Sequence, residues 1–224
     1  MILISPSGNR SKKLGVFAKY VPLSVPYGIG ALAGYLHFQG KKAEVFDEEI
    51  EPATPEVLLS KTRHLDPPYI FGISSLTAGI SRSIEIARMI KSVPDFSDAT
   101  VIFGGIHPTV LPNEVLQSGY ADIVVRSEGE KPLEILYDRI KNGKDYSDVK
   151  GISFLTNGNI VHNGPSELVD LKSVPPFPYD LFYKYSPRYA LGFITSSRDA
   201  RMTVSFAVSA AYRANTIDLD PRKL

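Results

Sequence analysis

Tyr69-Ile70-Phe71-Gly72-Ile73-Ser74-Ser75-Leu76-Thr77 and Thr100-Val101-Ile102-Phe103-Gly104-Gly105-Ile106-His107-Pro108-Thr109 decide the fold. Each begins as an apolar run of strand length and then breaks into residues with almost no side chain, or with one hydroxyl. Helix-like segments follow both. A buried strand running through a small-residue loop into a helix is the unit of a parallel α/β sheet, and the carboxyl edge of such a sheet is where open α/β folds bind ligands. A single glycine after a strand usually serves only the turn. Two such loops at corresponding places point instead to room kept for something bulky to slide between sheet and helices.

Outward from these loops the pattern repeats. Ile2–Ser5, Lys42–Phe46, Tyr69–Ile73, Thr100–Phe103 and Ile123–Val125 read as strands, and Gly28–Gln39, Pro55–His64, Ile80–Ser92, Pro112–Gly119 and Lys131–Lys141 as helices. Thr54 suits the N-cap of the second helix and Gly40 the C-cap of the first. Ile84, Ile86, Ala87 and Ile90 share one face of the third. Five strands alternating with helices predict an α/β fold, a doubly wound flavodoxin- or Rossmann-like five-stranded parallel sheet. The connection from Pro6 to about Pro26 is long for its type, which marks it as functional. After Lys150 the pattern changes: Gly151–Leu155 and Asn159–His162 flank Asn157-Gly158, a strong hairpin signal. The stretch from Gly164 to Tyr189 is rich in proline and tyrosine and reads as an extended linker packing its aromatics on a neighbour. Ala190–Thr195 reads as one more strand. The expected parts are therefore 1–145, an α/β ligand-binding domain; 146–190, hairpin and linker; and 191–224, the start of something else.

The 224 residues are 43% hydrophobic with formal net charge +1 and no cysteine. Near-neutrality gives no electrostatic reason to expect nucleic acid or an anionic membrane surface. No apolar stretch reaches membrane-spanning length, so a cytoplasmic location is expected. Zero cysteines exclude disulfides and thiolate metal sites.

These loops, the Val25-Pro26-Tyr27-Gly28-Ile29-Gly30 entry to the first helix, Arg126-Ser127-Glu128-Gly129-Glu130 and the Pro-rich linker resemble the N-terminal half of cobalamin-dependent radical S-adenosylmethionine enzymes. The resemblance covers about residues 1–198 and implies a cobalamin-binding domain as partner to a radical S-adenosylmethionine barrel. That barrel would carry a [4Fe–4S] cluster and S-adenosylmethionine and is missing here. In the family, the Ser196-Ser197-Arg198 motif leads into three cluster-binding cysteines. This chain continues Asp199-Ala200-Arg201 instead. Ala200, Val204 and Ala207 stand where cysteine codons one base out of register would fall, at Cys-x-x-x-Cys-x-x-Cys spacing, so the stretch from Asp199 reads as a frame-shifted remnant. The chain alone is then expected to be catalytically inactive. A stand-alone flavodoxin-like module for a flavin, a nucleotide or signalling is the rival reading. Its receiver version is disfavoured, because Ser5-Pro6-Ser7 and Ser74-Ser75 occupy the places where acidic residues would be needed.

The resemblance implies that a nucleotide tail enters beside Ser74, Ser75, Leu76, Thr77, Gly104, Gly105, His107 and Thr109, with Glu128 and Gly129 nearby. The physical demand is a groove free of bulk, with hydroxyls and backbone N–H groups for amides, ribose and phosphate. The same features would serve a flavin. Many cobalamin domains place a cobalt-binding histidine after the first strand, but residues 5–26 contain none; a group of the Lys12–Val21 loop, such as Tyr20, or only water would face the metal. His37 and His162 read as structural or surface groups, and His64 as complementing a helix dipole. His107 reads equally as ligand contact or cap. Glu128 and Glu130 read as helix-start carboxylates or ligand contacts, and Asp47-Glu48-Glu49 as a ribose contact or a solvated turn.

Overall fold

In the computed structural model the described residues are 1–8, 14–185 and 187–191. All lie in one unit, Met1–Leu191. Its strands are β1 (Ile2–Ser5), β2 (Leu23–Ser24), β3 (Glu44–Asp47), β4 (Ile70–Ser74), β5 (Thr100–Gly104), β6 (Ile123–Val125), β7 (Ile152–Thr156), β8 (Asn159–His162) and β9 (Tyr189–Ala190). Its α-helices are α1 (Tyr27–Phe38), α2 (Pro55–Thr62), α3 (Ile80–Ser92), α4 (Ile106–Val110), α5 (Pro112–Gln117) and α6 (Glu130–Lys141). The frame-shifted reading from Asp199, and the expected strand beyond Leu191, fall outside the described residues.

The main sheet runs β3-β1-β4-β5-β6-β7-β8. Five strands are parallel, as the βα pattern predicts, and β7 and β8 join antiparallel. The hairpin therefore extends the same sheet to seven strands, because β7 pairs the edge that β6 would otherwise leave open. Asn157 and Gly158 both take positive φ at the hairpin tip, the conformation Asn-Gly accepts at least cost.

Strand alternation builds two cores. Ile2, Ile4, Phe71, Ile73, Val101, Phe103 and Val124 face one side, with Leu58, Ile86, Ile90 and Leu116 from α2, α3 and α5. Leu3, Ile70, Ile102, Ile123 and Val125 face the other, with Ile29, Ala33 and Leu36 of α1 and Leu133, Leu136 and Ile140 of α6. Thr54 accepts from the Val57 N–H and caps α2 as its sequence suggests. Several boundaries differ from the expectation by one or two residues. β3 begins at Glu44 rather than Lys42, and α2 stops at Thr62. The segment before Pro112 is a separate short helix, α4, since proline pushes Leu111 out of helical dihedrals (φ −124°, ψ 55°).

The Pro/Tyr-rich stretch is not simply extended: it holds 3₁₀ turns at Leu171–Ser173 and Tyr179–Tyr185. The neighbour that takes its aromatics is α1. A Cβ on Gly30 would lie 2.7 Å from Phe177, and one on Gly34 would lie 2.9 Å from Pro178. These two glycines, one turn apart, open a groove for the strap formed by residues 174–185 and 187–191. Phe177 stacks on Tyr27 (centroids 4.6 Å apart, planes 9° apart) and on Phe182. A third small core unites Leu23 and Val25 with Phe182 and Tyr189. Across it β2 pairs parallel with β9.

Candidate functional site

The sheet order places a topological switch at β1 and β4: the helix after β1 packs on one face, and the helix after β4 on the other. Ligands bind at the carboxyl ends of strands beside such a switch. Register pairs Ile4 with Ile73 and Ser74 with Gly104, so Ser5, Ser74 and Gly104 form a row across three neighbouring strands. Alternation turns all three toward α1 and α6. The row is the floor of a slot with almost no side-chain bulk. A Cβ on Gly104 would meet only the Val125 carbonyl, at 3.8 Å, and one on Gly28 would meet nothing within 4 Å. Beyond the slot the edge is apolar and exposed: Leu76, Ile106 and Val110 from the β4 and β5 loops, and Val16, Phe17 (68% exposed) and Tyr20 (72%) from the loop after β1.

The sequence-predicted residues divide by the direction they face. Ser74 and Gly104 border the slot, and Leu76 and Thr77 are exposed beside it. Ser75 turns inward (2% exposed) and donates to the Ser83 hydroxyl at 2.6 Å. Its N–H donates to the Gly104 carbonyl at 2.8 Å, and its carbonyl accepts from His107 N–H at 3.2 Å. His107 is also buried (3% exposed); Nδ1 lies 3.4 Å from Thr77 Oγ1, and Nε2 lies 3.6 Å from Glu114, too far for a hydrogen bond. Thr109 donates to the Gly105 carbonyl and accepts from Ser127 N–H at 3.0 Å. These contacts zip the β4, β5 and β6 loops together. Gly105 (φ +95°) lets the β5 loop close on Ser75, because a Cβ there would lie 2.8 Å from the Ser75 carbonyl. Gly129 precedes α6, where a Cβ would lie 3.2 Å from Leu32 of α1.

Asp47-Glu48-Glu49 is neither a solvated turn nor free for a ribose. Asp47 accepts from the Tyr189 hydroxyl at 2.7 Å, and burial raises its carboxyl above the usual range, the Tyr189 hydrogen bond opposing this. Glu48 is gripped by the Arg82 guanidinium and accepts from Ser7 N–H at 2.9 Å. Burial pushes its pKa up, but Arg82 and Ser7 outweigh that and hold the carboxyl below its ordinary value. Glu49 accepts from the Ser7 hydroxyl and Gly8 N–H, both at 2.8 Å. His64 pairs with Glu44 rather than with a helix end, and His37 meets the Ala43 carbonyl. The Ser153 hydroxyl lies 2.8 Å from His162 Nδ1.

Ser5 is the site residue that a strand-by-strand reading misses, since only cross-strand register reveals it. The apolar side chains of the β1 loop carry no periodic signal.

Among the described residues no group of three metal-ligating side chains occurs, and no helix is long and apolar enough to cross a membrane. The anaerobic magnesium-protoporphyrin IX monomethyl ester cyclase of Rubrivivax gelatinosus is 28% identical over 158 residues, 67% of this chain and 28% of that protein. An uncharacterised methyltransferase of Pyrococcus horikoshii is 26% identical over 191 residues, 83% of this chain and 40% of that protein. The cobalamin-dependent S-adenosylmethionine radical enzyme OxsB, solved with aqua-cobalamin and S-adenosylmethionine bound, shares the fold with a TM-score of 0.67 at 20% identity, over 83% of this chain and 25% of its own. The radical S-adenosylmethionine methyltransferase TsrM of Kitasatospora setae, solved with cobalamin and a [4Fe–4S] cluster, does so with a TM-score of 0.58 at 19% identity, over 77% of this chain and 30% of its own. The chain thus spans at most 40% of the length of these relatives. The B12 binding domain family model matches residues 14–137, more than half of the sequence. Together with the slot at the switch point, that match makes this chain a member of the B12-binding domain family.

Proposed function

We propose that the chain binds cobalamin at the carboxyl edge of its sheet, as the cobalamin-holding part of a radical S-adenosylmethionine enzyme of methyltransferase type. The observation that carries this reading is the Ser5–Ser74–Gly104 row, bare of bulk beneath an exposed apolar edge. The slot fits the nucleotide tail, with the Ser5 and Ser74 hydroxyls and Thr77 as polar partners. The apolar edge fits the flat corrin, resting on Leu76, Ile106, Val16 and Phe17. Ser75, His107 and Thr109 hold the loops in register, and Glu128 and Gly129 border the entry. Bound cobalamin supplies group-transfer chemistry at cobalt. Residues 5–26 contain no histidine, so a group of the 12–21 loop such as Tyr20, or water, would stand in for that ligand and would alter the redox poise of a bound cobalt.

The parts follow the same reading: 1–145 holds the cofactor, 146–190 is hairpin and linker, and 191–224 begins the radical S-adenosylmethionine portion, frame-shifted from 199. With no cysteine in the chain, cluster chemistry belongs to an intact parent protein. The test is direct. Protein mixed with hydroxocobalamin and desalted should retain about one equivalent and stay pink; retention of flavin alone, giving a yellow protein, would establish the rival reading. Sequencing the DNA downstream of codon 198 tests the frame shift, which fails if no shifted register restores three cysteines.

A further inference from the structure

The loop after β1 and the strap are tied together through one short turn. Residues 47–50 receive the start of the loop, through Ser7 and Gly8 on Glu48 and Glu49. They also receive the strap: the Tyr189 hydroxyl donates to Asp47, and the Arg188 guanidinium donates to the Glu49 and Ile50 carbonyls, each at 2.8 Å. The other end of the loop meets the strap directly. Leu23 N–H donates to the Arg188 carbonyl at 2.8 Å, β2 pairs with β9, and Leu23 and Val25 share the third core with Phe182 and Tyr189. Loop and strap are thus joined to each other directly and through this turn, while the strap also rests on α1 through Phe177 and Pro178. Between its two anchored ends the loop carries Val16, Phe17 and Tyr20, the exposed apolar side chains of the cofactor edge.

We propose that the loop after β1, the 47–50 turn and the strap form one cooperative unit, so that a corrinoid seated on the loop stiffens the strap. This rests on the cobalamin reading above. Coupling of this kind needs a ligand that favours one state of a connected element, and here hydrogen bonds and packed rings join both ends of the loop to the turn and the strap. Asp47 and Tyr189 are positioning residues in this unit and lie outside the cofactor contacts.

Hydrogen–deuterium exchange on the whole chain, with and without hydroxocobalamin, tests it. In the wild type, peptides covering 14–24 and 177–191 should both exchange at least fivefold more slowly when loaded. Tyr189→Phe keeps the ring in the third core and deletes only the hydroxyl. It should bind hydroxocobalamin within about threefold of wild type, yet lose a measurable part of the added protection in 177–191 while keeping it in 14–24, the β2–β9 pairing and the third core carrying the rest. Arg188→Gln is the second variant, with its side chain outside any core, and should do the same. Loaded wild type protected in 14–24 alone would overturn the coupling and leave the cobalamin reading standing. Protection of 177–191 that persists undiminished in both variants would overturn the role of the turn. Failure to bind hydroxocobalamin at all would overturn both the coupling and the reading beneath it.

Discussion

Ser74 and Gly104 stand side by side on adjacent parallel strands, both turned toward α1 and α6 at the carboxyl edge of the sheet. The space above Gly104 is open, so a larger side chain there fills the slot without meeting the core. Gly104→Leu should fold with an unfolding midpoint within a few degrees of wild type and lose hydroxocobalamin affinity at least 100-fold in a spectrophotometric titration. Unchanged affinity would show that the tail enters elsewhere.

The neighbouring glycine should respond in the opposite way. Gly105 sits at φ +95° with the Ser75 carbonyl 2.8 Å from where a Cβ would stand. Gly105→Ala therefore combines backbone strain with a steric clash and should cost about 2–3 kcal/mol in urea unfolding. A cost below 0.5 kcal/mol would mean that the loop relaxes freely.

Phe17 tests the apolar edge. Its ring is mostly exposed, so Phe17→Ser should change stability by no more than about 0.5 kcal/mol. Burying a phenylalanine ring contributes about 1.5–3 kcal/mol, so the same variant should weaken hydroxocobalamin binding roughly 10- to 100-fold. Equal affinity would remove the loop from the cofactor platform.

Acidification should reveal Glu48. Its folded carboxyl titrates below the ordinary 4.5 because Arg82 and Ser7 N–H outweigh the effect of burial. The unfolded chain therefore takes up the proton first. The stabilisation is complete above about pH 4.5 and is lost as pH falls through the folded value. Glu48→Gln should be less stable than wild type at pH 7 and lose less of its melting temperature between pH 6 and pH 4. Asp47, raised by burial, has the opposite sign: its contribution is present at low pH and declines as pH rises through its folded value, so Asp47→Asn should flatten that limb.

Gly34 reports on the strap. A branched side chain there meets Pro178, and overpacking of this kind costs about 1–3 kcal/mol. Gly34→Val should release the strap, seen as faster limited proteolysis near residues 170–190 with cleavage elsewhere unchanged. Uniform acceleration along the chain would point to global destabilisation instead.

Local signals in the sequence were strong wherever a segment's own neighbours decide its structure. Ile2–Ser5 and Ile123–Val125 appear with the expected bounds, as does Ile80–Ser92, because apolar runs and a single helical face need no distant partner. Thr54 caps its helix through a residue three positions away. What depends on long-range pairing was invisible. β2 is two residues long and exists because β9 lies beside it. Ser5 joins the slot through the register of β1 on β4, and Ser75 and His107 turn inward because the β4 and β5 loops hydrogen-bond to each other. The acidic triplet read as a ribose contact or a solvated turn; its partners Arg82, Arg188 and Tyr189 lie 34 to 142 residues away along the chain.

With the sheet on one flank and the Phe177–Pro178 strap on the other, α1 is an inner layer. Transplanting this module into another protein therefore requires the donor piece to run through Leu191. Cutting it after the hairpin would strip the cover from Leu23, Val25 and the Gly30–Gly34 groove, and the graft would bring a sticky apolar flank into its new host.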